Sequence, residues 1–313
     1  MLFAATAANA QNPALLDATK LRLASANVLI LDASANTPIY AKAANEVTPI
    51  ASLTKLMTAI VTLEAALPMD ESMAIDMDDF DYLKGSSSRL RMGATLSRRE
   101  MLRLALMASE NRAASSLARH YPGGLPAFIT AMNAKAKMLG MAHSHFNDPT
   151  GLSAQNVSTA TDLALLVAAA AKYPLIREFS TTGTHSVEVQ STGQVLGFNN
   201  TNALVKNADW DIQVSKTGFI REAGKCLVMM ATISSRPVVI VLLDSLGRYT
   251  RVADAIRVKH WLETGEGEPL PTARAAKWVQ AVKYSPKAKS RIRGQFAPRL
   301  AQNTRSTKAA LGG

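Results

Sequence analysis

The chain has 313 residues, 48% of them hydrophobic and 19% charged, with a formal net charge of +11 at neutral pH. Such a composition suits a globular protein with a sizeable core, and no apolar run approaches the ~18–20 residues that a membrane span requires. The single cysteine, Cys226, excludes an intramolecular disulfide and leaves the redox compartment open.

Residues Met1 to Ala10 are apolar and end in Ala8-Asn9-Ala10, a small-x-small pattern like that of a signal-peptidase site. They read as the remnant of an export signal that lacks its basic start. Asn27 to Asp32 and Pro38 to Lys42 form an expected hairpin around Ala33-Ser34-Ala35-Asn36. Next, Leu53, Leu56, Met57, Ile60 and Leu63 recur at helical spacing behind Pro49. The acidic run from Asp70 to Asp81 lacks the glycine and glutamate of a calcium loop and reads as a solvated face. Gly85-Ser86-Ser87-Ser88-Arg89 is turn-rich. Helical patterns then cover Ser97 to Met107, Asn111 to His120, Leu125 to Leu139 and Thr159 to Ala171, with a mobile-looking loop at Asn147 to Gly151. Strands follow at Ile212 to Thr217, Cys226 to Ile233 and Pro237 to Leu243, and a closing helix spans about Leu246 to Leu262.

Strands at both ends and helices between them imply an α+β fold. It would hold one antiparallel sheet, built from both ends of the chain, with a helical region inserted at about residues 68–180. The folded domain is expected over residues 11–265. Beyond it the charge is uneven: from Pro269 onward there are ten Lys or Arg residues and no Asp or Glu, which leaves +1 on residues 1–268. This segment, broken by Pro269, Pro271, Pro286 and Pro298, reads as a disordered polycationic tail over about 266–313 that meets an acidic surface. The bland alternative is a solvated linker. A near-neutral body argues against a nucleic-acid-binding protein.

The helix behind Pro49 opens on Ser52-Leu53-Thr54-Lys55. Residues i and i+3 are neighbours on one helical face, so Lys55 can reach the Ser52 hydroxyl. Serine is a poor nucleophile without an adjacent base, and lysine serves as that base only if burial or a second cation lowers its pKa. By itself Ser-x-x-Lys is a weak signal. Two more motifs fall where such a site needs them. Ser109-Glu110-Asn111 lies between two helical patterns, and Lys216-Thr217-Gly218 ends a strand just before Phe219. Lys216 would be the second cation, able to disfavour the Lys55 ammonium.

The order Ser-x-x-Lys, Ser-x-Asn, Lys-Thr-Gly resembles the active-site serine penicillin-binding proteins and class A β-lactamases. The runs Ala51 to Met57, Ser109 to Ala114, Asp148 to Ser153 and Lys216 to Ile220 are similar more narrowly to the low-molecular-mass D-alanyl-D-alanine peptidases. Phe219-Ile220 and the glutamate within Ser109-Glu110-Asn111 favour the endopeptidase branch, the penicillin-binding protein 7 type of peptidase family S11. The resemblance covers residues 25 to 265 and implies a β-lactamase/DD-peptidase-like fold.

It also implies roles. Ser52 would attack a D-alanine carbonyl and Lys55 would take its proton. Ser109 would pass a proton to the leaving amine, and Asn111 would bind the substrate backbone. Lys216, Thr217 and Gly218 would orient the far side of the substrate, and the backbone N–H groups of Ser52 and Phe219 would hold the oxyanion. The implied partners are peptidoglycan stem peptides in the periplasm, with β-lactams as covalent inhibitors, and no metal or cofactor is required. His143 and His145 read as a polar loop rather than as ligands. The alternatives are a carboxypeptidase that trims terminal D-alanine and a non-catalytic β-lactam or muropeptide sensor. A β-lactamase fits less well, because Asp148 stands where a deacylating glutamate would be needed.

Overall fold

The computed structural model describes residues 16–247 and 249–267. The export-signal remnant lies outside the described residues, as does the basic tail apart from Glu266 and Gly267. The described chain opens on β1 (Asn27–Asp32) and β2 (Thr37–Lys42). After β3 (Thr48–Pro49), a 3-10 turn over Ala51–Thr54 runs directly into α1 (Lys55–Glu64). β4 (Ser72–Ala74) and β5 (Thr95–Ser97) pair across an excursion of residues 75–94. A run of helices follows: α2 (Arg98–Met107), α3 (Asn111–Arg119) and α4 (Gly124–Met138). The Ser97 hydroxyl accepts from the Glu100 N–H and starts α2. The Glu110 carboxylate accepts from the Arg112 N–H and starts α3.

β6 (Val157–Ser158) returns to pair with β3, and α5 (Ala160–Ala170) and α6 (Pro174–Thr181) follow. A separate hairpin, β7 (Thr184–Val189) and β8 (Gln194–Asn199), precedes the long strands β9 (Asp211–Ile220), β10 (Gly224–Ile233) and β11 (Arg236–Ser245). α7 (Thr250–Thr264) ends the described fold.

The main sheet is antiparallel in the order β2-β1-β11-β10-β9. β1 pairs with β11 through Leu29↔Val241 and Leu31↔Val239, so the two ends of the chain meet at its centre. Side chains alternate across the pleat. Leu29, Leu31, Val228, Val239 and Val241 face the larger core with the helical region. Val28, Ile30, Leu227, Val238 and Ile240 face a second core closed by Val258 and Trp261 of α7. Because both faces are covered, the central strands read as continuous apolar runs rather than alternating ones.

The sheet matches the expected arrangement, but four local readings change. The acidic run is not simply solvated. Asp79 is buried and pairs with Arg119 at 2.9 Å, while Asp76 accepts from Arg119 at 3.1 Å and caps a short turn. The loop at residues 147–151 is tied down rather than loose, because Asp148 accepts three hydrogen bonds within it and a fourth from the Ser153 N–H. α6 and the β7–β8 hairpin were not anticipated. Finally, α7 begins at Thr250 and not near Leu246.

Candidate active site

Ser52 sits in the 3-10 turn rather than in the α-helix proper. In a 3-10 turn residues i and i+3 eclipse one another, and this brings Lys55 Nζ to 3.0 Å from Ser52 Oγ. The preceding residue, Ala51, has φ +49°, a costly left-handed conformation for a non-glycine residue. Two remote glycines hold it there. A Cβ on Gly151 would stand 2.0 Å from the Ala51 carbonyl oxygen, and one on Gly218 would stand 3.2 Å from Ser52 N. No side chain fits at Gly151, and at Gly218 the nearest backbone oxygen, that of Ile50, would be only 2.9 Å away. The Ser52 turn is clamped between the loop after α4 and strand β9.

Lys55 is fully buried and makes three contacts, to Ser52 Oγ, to Asn111 Oδ1 at 2.7 Å and to the Thr150 carbonyl oxygen at 2.6 Å. The last two can only accept. A neutral amine has two hydrogens and one lone pair. With both hydrogens given to Asn111 and Thr150, the lone pair faces the Ser52 hydroxyl. Burial lowers the Lys55 pKa from 10.5 to about 7, against the opposing pull of Asp148 and Glu110. The neutral form is therefore well populated near neutrality. Asn111 is itself fixed, since its Nδ2 donates to Ser86 Oγ at 2.9 Å.

On the facing side, Lys216 Nζ donates to Ser109 Oγ at 2.9 Å and to the Thr217 carbonyl at 3.0 Å. Ser109 has φ +60° at the sharp turn from α2 to α3, which aims its side chain at the strand. The Lys216 pKa is driven well below its ordinary value by burial first, then by Lys55 and Arg251. Burial is the chief cause that lowers Lys55, and the two buried amines also disfavour each other's charge.

The eight residues singled out in the sequence lie on the Ser52 turn and the start of α1, the α2–α3 junction and strand β9. Ser52, Lys55 and Asn111 form one hydrogen-bonded group, and Ser109 with Lys216 forms a second. Thr217 is buried, with its hydroxyl on Thr201 Oγ1 at 2.7 Å. The Gly218 carbonyl accepts from Arg251 at 3.1 Å, and the exposed Phe219 ring lies 3.9 Å below Lys225 Nζ. His143 and His145 stay out of both groups: the His143 N–H donates to Asp162, and the backbone of His145 bridges to Val157. Among the described residues no group of three or more His, Cys, Asp or Glu is placed to hold a metal ion.

The sequence reading missed Thr150, Ser86, Thr201 and Arg251. Thr150 acts through a backbone carbonyl, which leaves no trace in residue identity. The Asp148-Pro149-Thr150-Gly151 turn was visible, and an Asp accepting from the N–H groups that follow it is a recognisable signal of a fixed turn.

The family model for D-alanyl-D-alanine carboxypeptidases, peptidase S11, matches residues 12–247 of this sequence. The chain belongs to that family. Within it, the D-alanyl-D-alanine endopeptidase of Pseudomonas aeruginosa is 50% identical over 82% of this chain and 83% of its own length. A second D-alanyl-D-alanine endopeptidase, from Escherichia coli, is 49% identical over 84% of this chain and 85% of its own. Among solved structures, penicillin-binding protein D2 of Listeria monocytogenes in its ampicillin-bound form superposes with a TM-score of 0.67 at 28% identity. It covers 78% of this chain and 98% of that one. The chain thus shares the fold of the serine DD-peptidases.

Proposed function

We propose that the protein is a serine-type D-alanyl-D-alanine endopeptidase that hydrolyses D-alanine cross-links in peptidoglycan through an acyl-enzyme at Ser52. The observation that carries this reading is the environment of Lys55. It is a buried amine near neutrality whose two other contacts are acceptors, which leaves its lone pair for the Ser52 hydroxyl.

Ser52 Oγ attacks the D-alanine carbonyl carbon while its proton passes to Lys55 Nζ. The backbone N–H groups of Ser52 and Phe219 are the donors for the oxyanion. As the tetrahedral centre collapses, the C–N bond breaks and the leaving amine takes, by way of Ser109, the proton that Lys55 removed from Ser52, which returns Lys55 to the neutral amine; Lys216 holds Ser109 at 2.9 Å. Asn111 binds the substrate backbone, and Thr217 with Lys216 orients the leaving side. Water, activated by neutral Lys55, then attacks the ester and releases the peptide. A β-lactam offers a strained amide to the same serine, and the ring-opened ester has no leaving amine to depart. A peptidoglycan substrate lies outside the cytoplasm, and the periplasm is the compartment this reading assigns. There the basic tail, with ten cations and no carboxylate from Pro269 onward, suits an acidic cell-wall or membrane surface.

A digest of purified muropeptides, analysed by mass, tests the reading. Conversion of cross-linked dimers to monomers, with free pentapeptides untouched, is expected. Release of terminal D-alanine would make the protein a carboxypeptidase, and acylation of Ser52 by penicillin with neither product would make it a sensor.

A further inference from the structure

The excursion between β4 and β5 bridges the start of α3 and the turn between β9 and β10. Its turn is organised by Asp81, whose carboxylate accepts from the N–H groups of Leu83, Lys84 and Ser86 at 2.8–2.9 Å. The same excursion is anchored at its base, where Arg112 stacks on Phe80 at 3.7 Å and donates to the Leu90 carbonyl. The tip carries Tyr82 and Leu83, 73% and 71% exposed, on an otherwise well-tied turn. From that tip Lys84 Nζ reaches Glu222 Oε1 at 2.5 Å, in the turn that joins β9 to β10.

Three contacts therefore close a ring. Ser109 meets Lys216, β9 runs on to Glu222, Glu222 meets Lys84, and two residues later Ser86 meets Asn111. Phe219 lies on the strand within this ring. The stretch from Lys216 to Ile220 spans four residues of strand, or about 13 Å at ~3.3 Å per residue. A peptide laid along the free edge of β9 must pass beneath the Lys84–Glu222 pair or displace it.

Resting on the peptidase reading above, we propose that Lys84 and Glu222 are specificity-determining residues, forming a strap that closes the Phe219 end of the site and opens to admit bulky cross-linked donors. The pair is only partly exposed, 33% and 41%. A surface pair of this kind favours the closed state by about two- to fivefold. Glu222 is held below the usual carboxylate range chiefly by its bond to Lys84, so its carboxylate stays charged across neutral pH.

The test compares a cross-linked muropeptide dimer with a small penicillin on the full chain. Lys84→Ala and Glu222→Ala should each raise kcat/KM for the dimer by about two- to fivefold and leave penicillin acylation unchanged. The double charge swap Lys84→Glu with Glu222→Lys should return the dimer rate to the wild-type value. Added salt should speed the wild type alone. A slower or unchanged dimer rate, an equal change with penicillin, or a double swap that behaves like the singles would overturn the strap. If the wild type is acylated by penicillin but cleaves no dimer, the endopeptidase reading fails separately. The strap is then judged on the same ratio, between penicillins with a long peptidyl and a small side chain.

Discussion

Lys55 gives the sharpest test of the chemistry, because its role is written in its proton. If neutral Lys55 takes the Ser52 proton, acylation rises with pH as the ammonium is lost. With the Lys55 pKa at about 7, roughly one molecule in ten is competent at about pH 6 and nine in ten at about pH 8. The acylation rate should climb about tenfold across that interval and then level off. Stopped-flow acylation by a chromogenic penicillin, in single turnover from about pH 5.5 to 9, reads this directly. Asp148→Asn supplies the control. Asp148 raises the Lys55 pKa, so removing its charge should shift the midpoint to lower pH. A flat profile, or a midpoint near the ordinary lysine value of about 10.4, would refute Lys55 as the base.

Ser52→Ala should abolish covalent penicillin labelling, measured by intact mass, and a mutant that still labels would remove the nucleophile. Lys216→Ala should slow acylation, and an unchanged acylation rate would argue against its proposed role. Gly151→Ala should lower stability by several kcal/mol, because its Cβ would stand 2.0 Å from the Ala51 carbonyl oxygen and its φ is +81°. A denaturant melt in which that variant matches the wild type would contradict the clamp around Ser52. Holding Lys55 near 7 instead of 10.5 costs the folded state about 5 kcal/mol below neutrality. That cost fades as pH rises from about 7 towards 10.5, so Lys55→Met should flatten part of the stability gain over that range. Loss of residues 269–313 should leave hydrolysis of a soluble substrate intact and weaken retention on purified cell walls.

The sheet was legible because both of its faces are covered. Val28 to Leu31 and Pro237 to Leu243 are unbroken apolar runs, as strands covered on both faces require. The convergence of Ser52, Lys55, Ser109, Asn111 and Lys216 was legible only through the order of three short motifs. No one of them points to the others. The β7–β8 hairpin carried a weaker signal, with Val187 and Val189 alternating inward before a Thr-Gly turn. It was lost because only one strand face is buried. What tunes the site was not legible at all. The Thr150 carbonyl, the Ala51 conformation and the burial of Lys55 belong to backbone and packing, which residue identity does not record.

The pairing of β1 with β11 has a consequence for the life of the chain. Asn27 and its partner Leu243 are more than 200 residues apart, so the central ladder cannot form until the chain has been made as far as β11. Loop closure over such a distance is slow, and Ser52 has no clamp before Gly218 arrives. A chain that still lacks β9 to β11 therefore has neither its central ladder nor the second wall of the turn at Ser52.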